Sequence, residues 1–75
     1  MGTLLIVEDN LPLGQLYAKF LAHIGYAVRH TATCRQTIAF LDAEPLPDLM
    51  LLDMSLPDGE GLSILEYLQT RNLLH

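Results

Sequence analysis

Residues 49–61 read LMLLDMSLPDGEG, and the reading of this stretch decides the fold. Leu49 to Leu52 form an unbroken apolar run of strand length. Asp53 follows it directly, and Pro57-Asp58-Gly59 then supplies turn chemistry. A carboxylate at the end of an apolar run is costly unless a partner, water or a cation reaches it. A strand that stops at Asp53 and opens into a turn gives the carboxylate such a place, so chemistry is to be sought there.

The same order recurs along the chain. Leu4 to Val7 is a continuous apolar run, the pattern of a strand covered on both faces, and it ends in Glu8 and Asp9. Asn10 is a good N-cap and Pro12 is tolerated in a first helical turn. Leu13, Leu16, Tyr17, Phe20, Leu21 and Ile24 then recur at helical spacing as a core stripe, and Gly25 supplies the stop. Tyr26 to His30 reads as a short strand. Thr33 and Gln36 form a capping box for a helix whose apolar positions include Cys34, Ile38 and Leu41, and Pro45 and Pro47 break it. After the Pro57 to Gly59 turn a third helix carries Leu62, Leu65 and Leu68 on one side.

The order β-α-β-α-β-α predicts an α/β fold with a doubly wound parallel sheet in three layers, because right-handed crossovers return each strand in the same direction. In such a sheet strand two lies on one side of strand one and strand three on the other, an order of 2-1-3. The crevice beyond the carboxyl ends of strands one and three is then the ligand site, lined by Glu8, Asp9 and Asp53. Three like charges so close repel, and a hard divalent cation such as Mg2+ relieves them. An Asp beside that cation is the kind of nucleophile that forms an aspartyl phosphate.

Composition narrows the function classes. The 75 residues suffice for one small domain, and 51% hydrophobic with 17% charged residues argues for a folded chain. The net charge of −5, with Lys19, Arg29, Arg35 and Arg71 dispersed, excludes a basic patch for nucleic acid. No stretch reads as a signal peptide or membrane span, and the single Cys34 leaves no internal disulfide, so a cytoplasmic location is expected. Cys34 reads as a small buried apolar residue, Asp58 as structural, and His23, His30 and His75 as solvated.

With LLIVEDN, LMLLD and SLPDGEG in this order, the chain resembles a response-regulator receiver domain of two-component signalling, over all 75 residues. The resemblance implies a flavodoxin-like receiver fold, with Asp53 as phosphoacceptor and Asp9 as a direct Mg2+ or Mn2+ ligand. Glu8 would act on the metal through water, and the Ser55 main-chain carbonyl would be a further ligand. Pro57 and Gly61 match the loop that shapes the pocket. The implied partner is a histidine kinase or a phosphotransfer protein, and the domain is not expected to be an enzyme. The chain is expected to be a partial receiver domain, residues 1–75, holding the first three β-α units. The last two units, with a Ser or Thr after strand four and a Lys after strand five, would be absent and transfer impaired. That leaves the outer edge of strand three open and implies a homodimer or larger oligomer through it.

Two other readings stand beside this one. An aspartate-nucleophile phosphatase also uses Mg2+ at a strand end, but those enzymes resemble Asp-x-Asp, and Ser55 stands at the second acidic position. A non-phosphorylated interaction module would keep the fold with a vestigial acidic pocket.

Overall fold

The computed structural model describes residues 2–43, 45–53 and 55–70, with Ser55 and Glu60 described through their main chain. Arg71 and His75, read above as a dispersed cation and a solvated histidine, lie outside the described residues. The elements are β1 (Thr3–Val7), α1 (Leu11–Ile24), β2 (Ala27–Thr31), α2 (Cys34–Ala43), β3 (Leu49–Leu52), β4 (Ser55–Leu56), β5 (Gly59–Glu60) and α3 (Gly61–Thr70). The first three strands form a parallel sheet in the order β2-β1-β3, with Val7 opposite both Thr31 and Leu52. The expected 2-1-3 order is therefore the one found. The turn after Asp53 is more than a turn, since β4 and β5 pair antiparallel around Pro57 and Asp58.

Central β1 is buried from Leu4 to Val7, as its uninterrupted apolar run predicts. Removing each such side chain from water contributes about 1.5–3 kcal/mol. Successive side chains point to opposite faces. On one face Leu5 and Val7 join Cys34 and Leu41 of α2, Leu56, and Ile64 and Leu68 of α3 in a single core. On the other face α1 lies over β1 and β2, which makes three layers. α2 is tied to β2 by a buried hydroxyl pair: Thr37 Oγ1 donates to the Thr33 carbonyl at 2.8 Å, so the Thr31 hydroxyl is the donor in its 2.7 Å contact with Thr37.

Helix ends follow the caps read from the sequence. The Asn10 side chain accepts from the Leu13 amide at 3.0 Å, and Gly25, at φ 123°, donates its N–H to the carbonyls of Leu21 and Ala22. Thr33 Oγ1 accepts from the Gln36 amide at 3.0 Å, while the Gln36 side chain reaches back to the Ala32 amide, one residue earlier than in a standard capping box.

Two apolar stripes differ from expectation. In α1 the stripe read as core is largely exposed: Leu16 is 62% and Phe20 64% accessible, with Tyr17 and Ile24 also open, and Gly14 is the one fully buried position of that helix. The reason is the width of the layer, because α1 is the only described helix on its face and three strands cannot cover its full flank. In α3 the buried line is Gly61, Ile64 and Leu68, while Leu62 is exposed and Leu65 half-buried. Following leucines alone set the predicted stripe to one side of the true one.

Candidate functional site

The carboxyl ends of β1 and β3 carry the site. Ladder bonds continue past both strands, with the Glu8 amide donating to Thr31 O at 3.0 Å and the Asp53 amide to Val7 O at 2.9 Å. These bonds fix where the chain leaves the sheet. Glu8, Asp9 and Asp53 then place one carboxylate oxygen each within 4.8 Å of one another. Glu8 and Asp53 are half-buried and Asp9 is exposed. A cleft of about 190 Å³ opens beside them, lined by Glu8, Tyr17, Leu51, Leu52 and Asp53.

Electrostatics in this cluster are unfavourable to a full set of charges. The Asn10 amide, 3.2 Å from Glu8 Oε2, draws the Glu8 carboxyl downward. Burial, hydrogen bonding with Asp9 and the negative charge of Asp53 outweigh it, and Glu8 ends above its ordinary value. An all-oxygen donor set of this kind fits a small hard divalent cation, Mg2+ or Mn2+. Ser55, whose main-chain carbonyl was expected as a further ligand, lies just past Asp53 at the start of β4, paired with Glu60.

Two residues near the site escaped sequence reasoning. His30, expected to be solvated, is half-buried, and its Nε2 lies 2.8 Å from the Glu8 carbonyl oxygen. A signal was available in Gly14, because a glycine inside a helix marks a close approach. A Cβ at Gly14 would collide with the His30 ring. Asp58, expected to be structural, does sit in the turn between β4 and β5, and it also caps α2, which was not foreseen: its two carboxylate oxygens accept from the amides of Cys34 at 2.7 Å and Arg35 at 3.0 Å. Those amides draw its carboxyl below the usual aspartate value, Arg35 more than Cys34. No local pattern announces a contact across 24 positions of chain. Cys34 is buried as expected, and burial first, then the Asp58 charge, pushes its thiol up.

Among the described residues no helix is long and apolar enough to cross a membrane. A family model described as the response regulator receiver domain matches residues 4–74. The transcriptional regulatory protein DpiA of Escherichia coli K12 is 39% identical over 67 residues, 88% of this chain and 30% of that protein. The luminescence regulatory protein LuxO of Vibrio campbellii is 37% identical over 60 residues, 80% of this chain and 13% of that one. Among solved structures, the signal receiver domain of a LuxO repressor protein from Vibrio parahaemolyticus superposes with a TM-score of 0.88 at 30% identity, covering 96% of this chain and 55% of that one. The MaeR response regulator bound to beryllium trifluoride gives 0.86 at 28% identity, covering 97% and 61%. The chain thus spans less than a third of the curated relatives it matches.

Proposed function

We infer the function from one premise: the chain belongs to the response regulator receiver domain family of two-component signalling. The reading is that Asp53 accepts a phosphoryl group from a phosphohistidine on a histidine kinase or phosphotransfer protein. The observation that carries it is the gathering of Glu8, Asp9 and Asp53 oxygens within 4.8 Å at the ends of two neighbouring parallel strands.

Asp9 and Asp53, with Glu8 assisting and the Ser55 carbonyl completing the set, would hold Mg2+ or Mn2+. When bound, the cation would neutralise the carboxylates and the oxygens of the incoming phosphoryl group. The residues do the rest. A carboxylate oxygen of Asp53 attacks phosphorus in line, the P–N bond breaks, and the imidazole leaves with the bonding pair and takes a proton. Tyr17, Leu51 and Leu52 line the cleft beside Glu8 and Asp53 and give the incoming group an apolar margin. Such a group is transferred once per molecule, so the chain is read as a substrate of the kinase and not as an enzyme. The beryllium trifluoride held by a structural neighbour supports a phosphoryl-sized ligand. A cytoplasmic setting belongs to this reading as that of a receiver domain addressed by a histidine kinase.

Incubation with acetyl phosphate or phosphoramidate and Mg2+, followed by intact mass and peptide mapping, tests this. One added phosphoryl group on Asp53, lost in Asp53→Asn, is expected. Phosphate on Ser55 or a histidine refutes it, and no uptake favours the interaction module with a vestigial pocket. We read residues 1–75 as one partial receiver domain, the part that carries the acidic site.

One observation favours a second property, self-association. Within the described sheet β3 is an edge strand, and its Leu49 and Leu51 are exposed beside the open flank of α1. An apolar edge with unpaired main-chain groups is a template for another chain. Pairing with a two-fold mate would make the central contact antiparallel and the sheet continuous. Light scattering that returns a folded monomer at high micromolar concentration overturns it.

A further inference from the structure

We propose that His30 is a positioning residue of the acidic site, acting through the main chain of Glu8 and wedged in place by the missing side chain of Gly14. The inference rests on the cation-binding reading above and goes beyond it, because His30 carries no carboxylate and lies on the other neighbour of β1.

The ladder between β1 and β2 explains why the contact exists. The Glu8 amide still finds Thr31 O, but β2 ends at Thr31. The next donor of a parallel ladder would be the Thr33 amide, and there the chain has already turned into the cap of α2. The Glu8 carbonyl is therefore left to a side chain, and the imidazole of His30 takes it at 2.8 Å. A carbonyl oxygen only accepts, so Nε2 carries the proton.

Helix α1 supplies the second half of the clamp. Gly14 is buried, and its N–H makes the first helical bond, to Asn10 O at 2.9 Å. The His30 ring occupies the space a Cβ would need, with Cε1 and Nε2 nearest. One imidazole thus touches the end of β1, the first turns of α1 and its own strand. Glu8 and Asp9 sit on the short connection between the first two of these, and Asn10, their neighbour, is both the cap of α1 and a donor to Glu8 Oε2. Fixing the Glu8 carbonyl fixes the direction in which the next main-chain units carry the two acids. Partners one shell removed from a metal ligand commonly govern affinity in this way.

The test is Mg2+ titration, followed by calorimetry, of the 75-residue chain and three variants, with thermal unfolding in chelator alongside. His30→Leu keeps bulk and removes the donor, and binding is expected to weaken about 10-fold. His30→Gln places an amide nitrogen near the Nε2 position, and is expected to restore binding to within about threefold of the parent, on the logic of a conserved donor. Gly14→Ala gives the discriminating result. Alanine is the better helix former, so a purely helical role for this position predicts a stabilised chain with unchanged binding. Displacement of the ring predicts weaker Mg2+ binding. Parent-like affinity in either His30→Leu or Gly14→Ala overturns the proposal, and so does a Gln variant as weak as Leu. If His30→Leu fails to fold, Gly14→Ala decides by the same criterion, and a Gln variant that binds about 10-fold more weakly than the parent overturns the proposal. A parent chain that takes up no Mg2+ overturns the cation reading itself and this proposal with it, a result distinct from parent binding that the variants leave untouched.

Discussion

Asp58 accepts a 2.7 Å hydrogen bond from the main-chain N–H of Cys34, so the loop that follows the candidate phosphoacceptor is bolted to the start of α2. With the Arg35 amide at 3.0 Å on the other oxygen, one carboxylate satisfies two of the donors that a helix leaves unpaired at its start. This bond sets a pH dependence with a definite sign. Asp58 lies below its ordinary value of 3.8, because the Arg35 amide and then the Cys34 amide favour its charged form. A depressed carboxyl contributes stability that is fully present above the unfolded value and is lost as pH falls through the folded one. Asp58→Asn is expected to lower Tm by a few degrees at pH 7. The gap between parent and variant should close below pH 3.8. A gap constant from pH 7 to pH 2 would contradict the bond.

The fold was legible because its strongest signals are local. Leu4 to Val7 and Leu49 to Leu52 are apolar runs bounded by acids, and Asn10, Gly25 and Thr33 punctuate the helices where the structure has them. The acidic trio followed from topology, since strand ends in a parallel sheet share an edge. What stayed hidden depends on pairs distant in sequence. Asp58 looks complete inside Pro57-Asp58-Gly59, and His30 looks like the polar end of a strand until Gly14 is set beside it. Burial of α1 was misread for a related reason: helical periodicity shows which side of a helix is apolar, not whether anything wide enough lies beneath it.

Thr37 is the one buried polar side chain among the described residues, and its hydroxyl is fully used between Thr31 and Thr33. Thr37→Val keeps the shape and leaves the Thr31 hydroxyl without its acceptor. A cost of about 1 kcal/mol is expected, or about 4–8 °C in Tm for a domain of this size. An unchanged melting curve would mean that the hydroxyl pair contributes nothing net.

Ile64 is fully buried at the meeting of α3 with the sheet and α2. Ile64→Ala should cost about 2–5 kcal/mol, a large part of what a small domain has. Leu62→Ala, two residues earlier and on the exposed side, should cost far less. Chemical denaturation of the two variants checks the stripe assignment, and equal losses would return the buried line to the leucines.

The acidic trio makes stability and cation binding move in opposite directions. In the metal-free chain, Glu8 is raised because burial and its neighbours Asp9 and Asp53 overcome the Asn10 amide. The sign is opposite to that of Asp58: a carboxyl raised in the fold weakens the fold at neutral pH, and the penalty fades as pH falls through its folded value. Asp53→Asn removes one of the charges responsible. In chelator its Tm is therefore expected to equal or exceed that of the parent. With Mg2+ at about 100 times its dissociation constant the parent should gain about 2.7 kcal/mol, on the order of 10 °C or more, and Asp53→Asn should gain almost nothing. Lowering the pH should erode the parent's gain at higher pH than an ordinary glutamate would dictate, because protons and the cation compete for Glu8. Thermal unfolding with and without Mg2+ at several pH values reads all of these signs at once. A variant that melts lower in chelator yet gains as much from Mg2+ would show that Asp53 supports the fold and leaves the cation to Glu8 and Asp9.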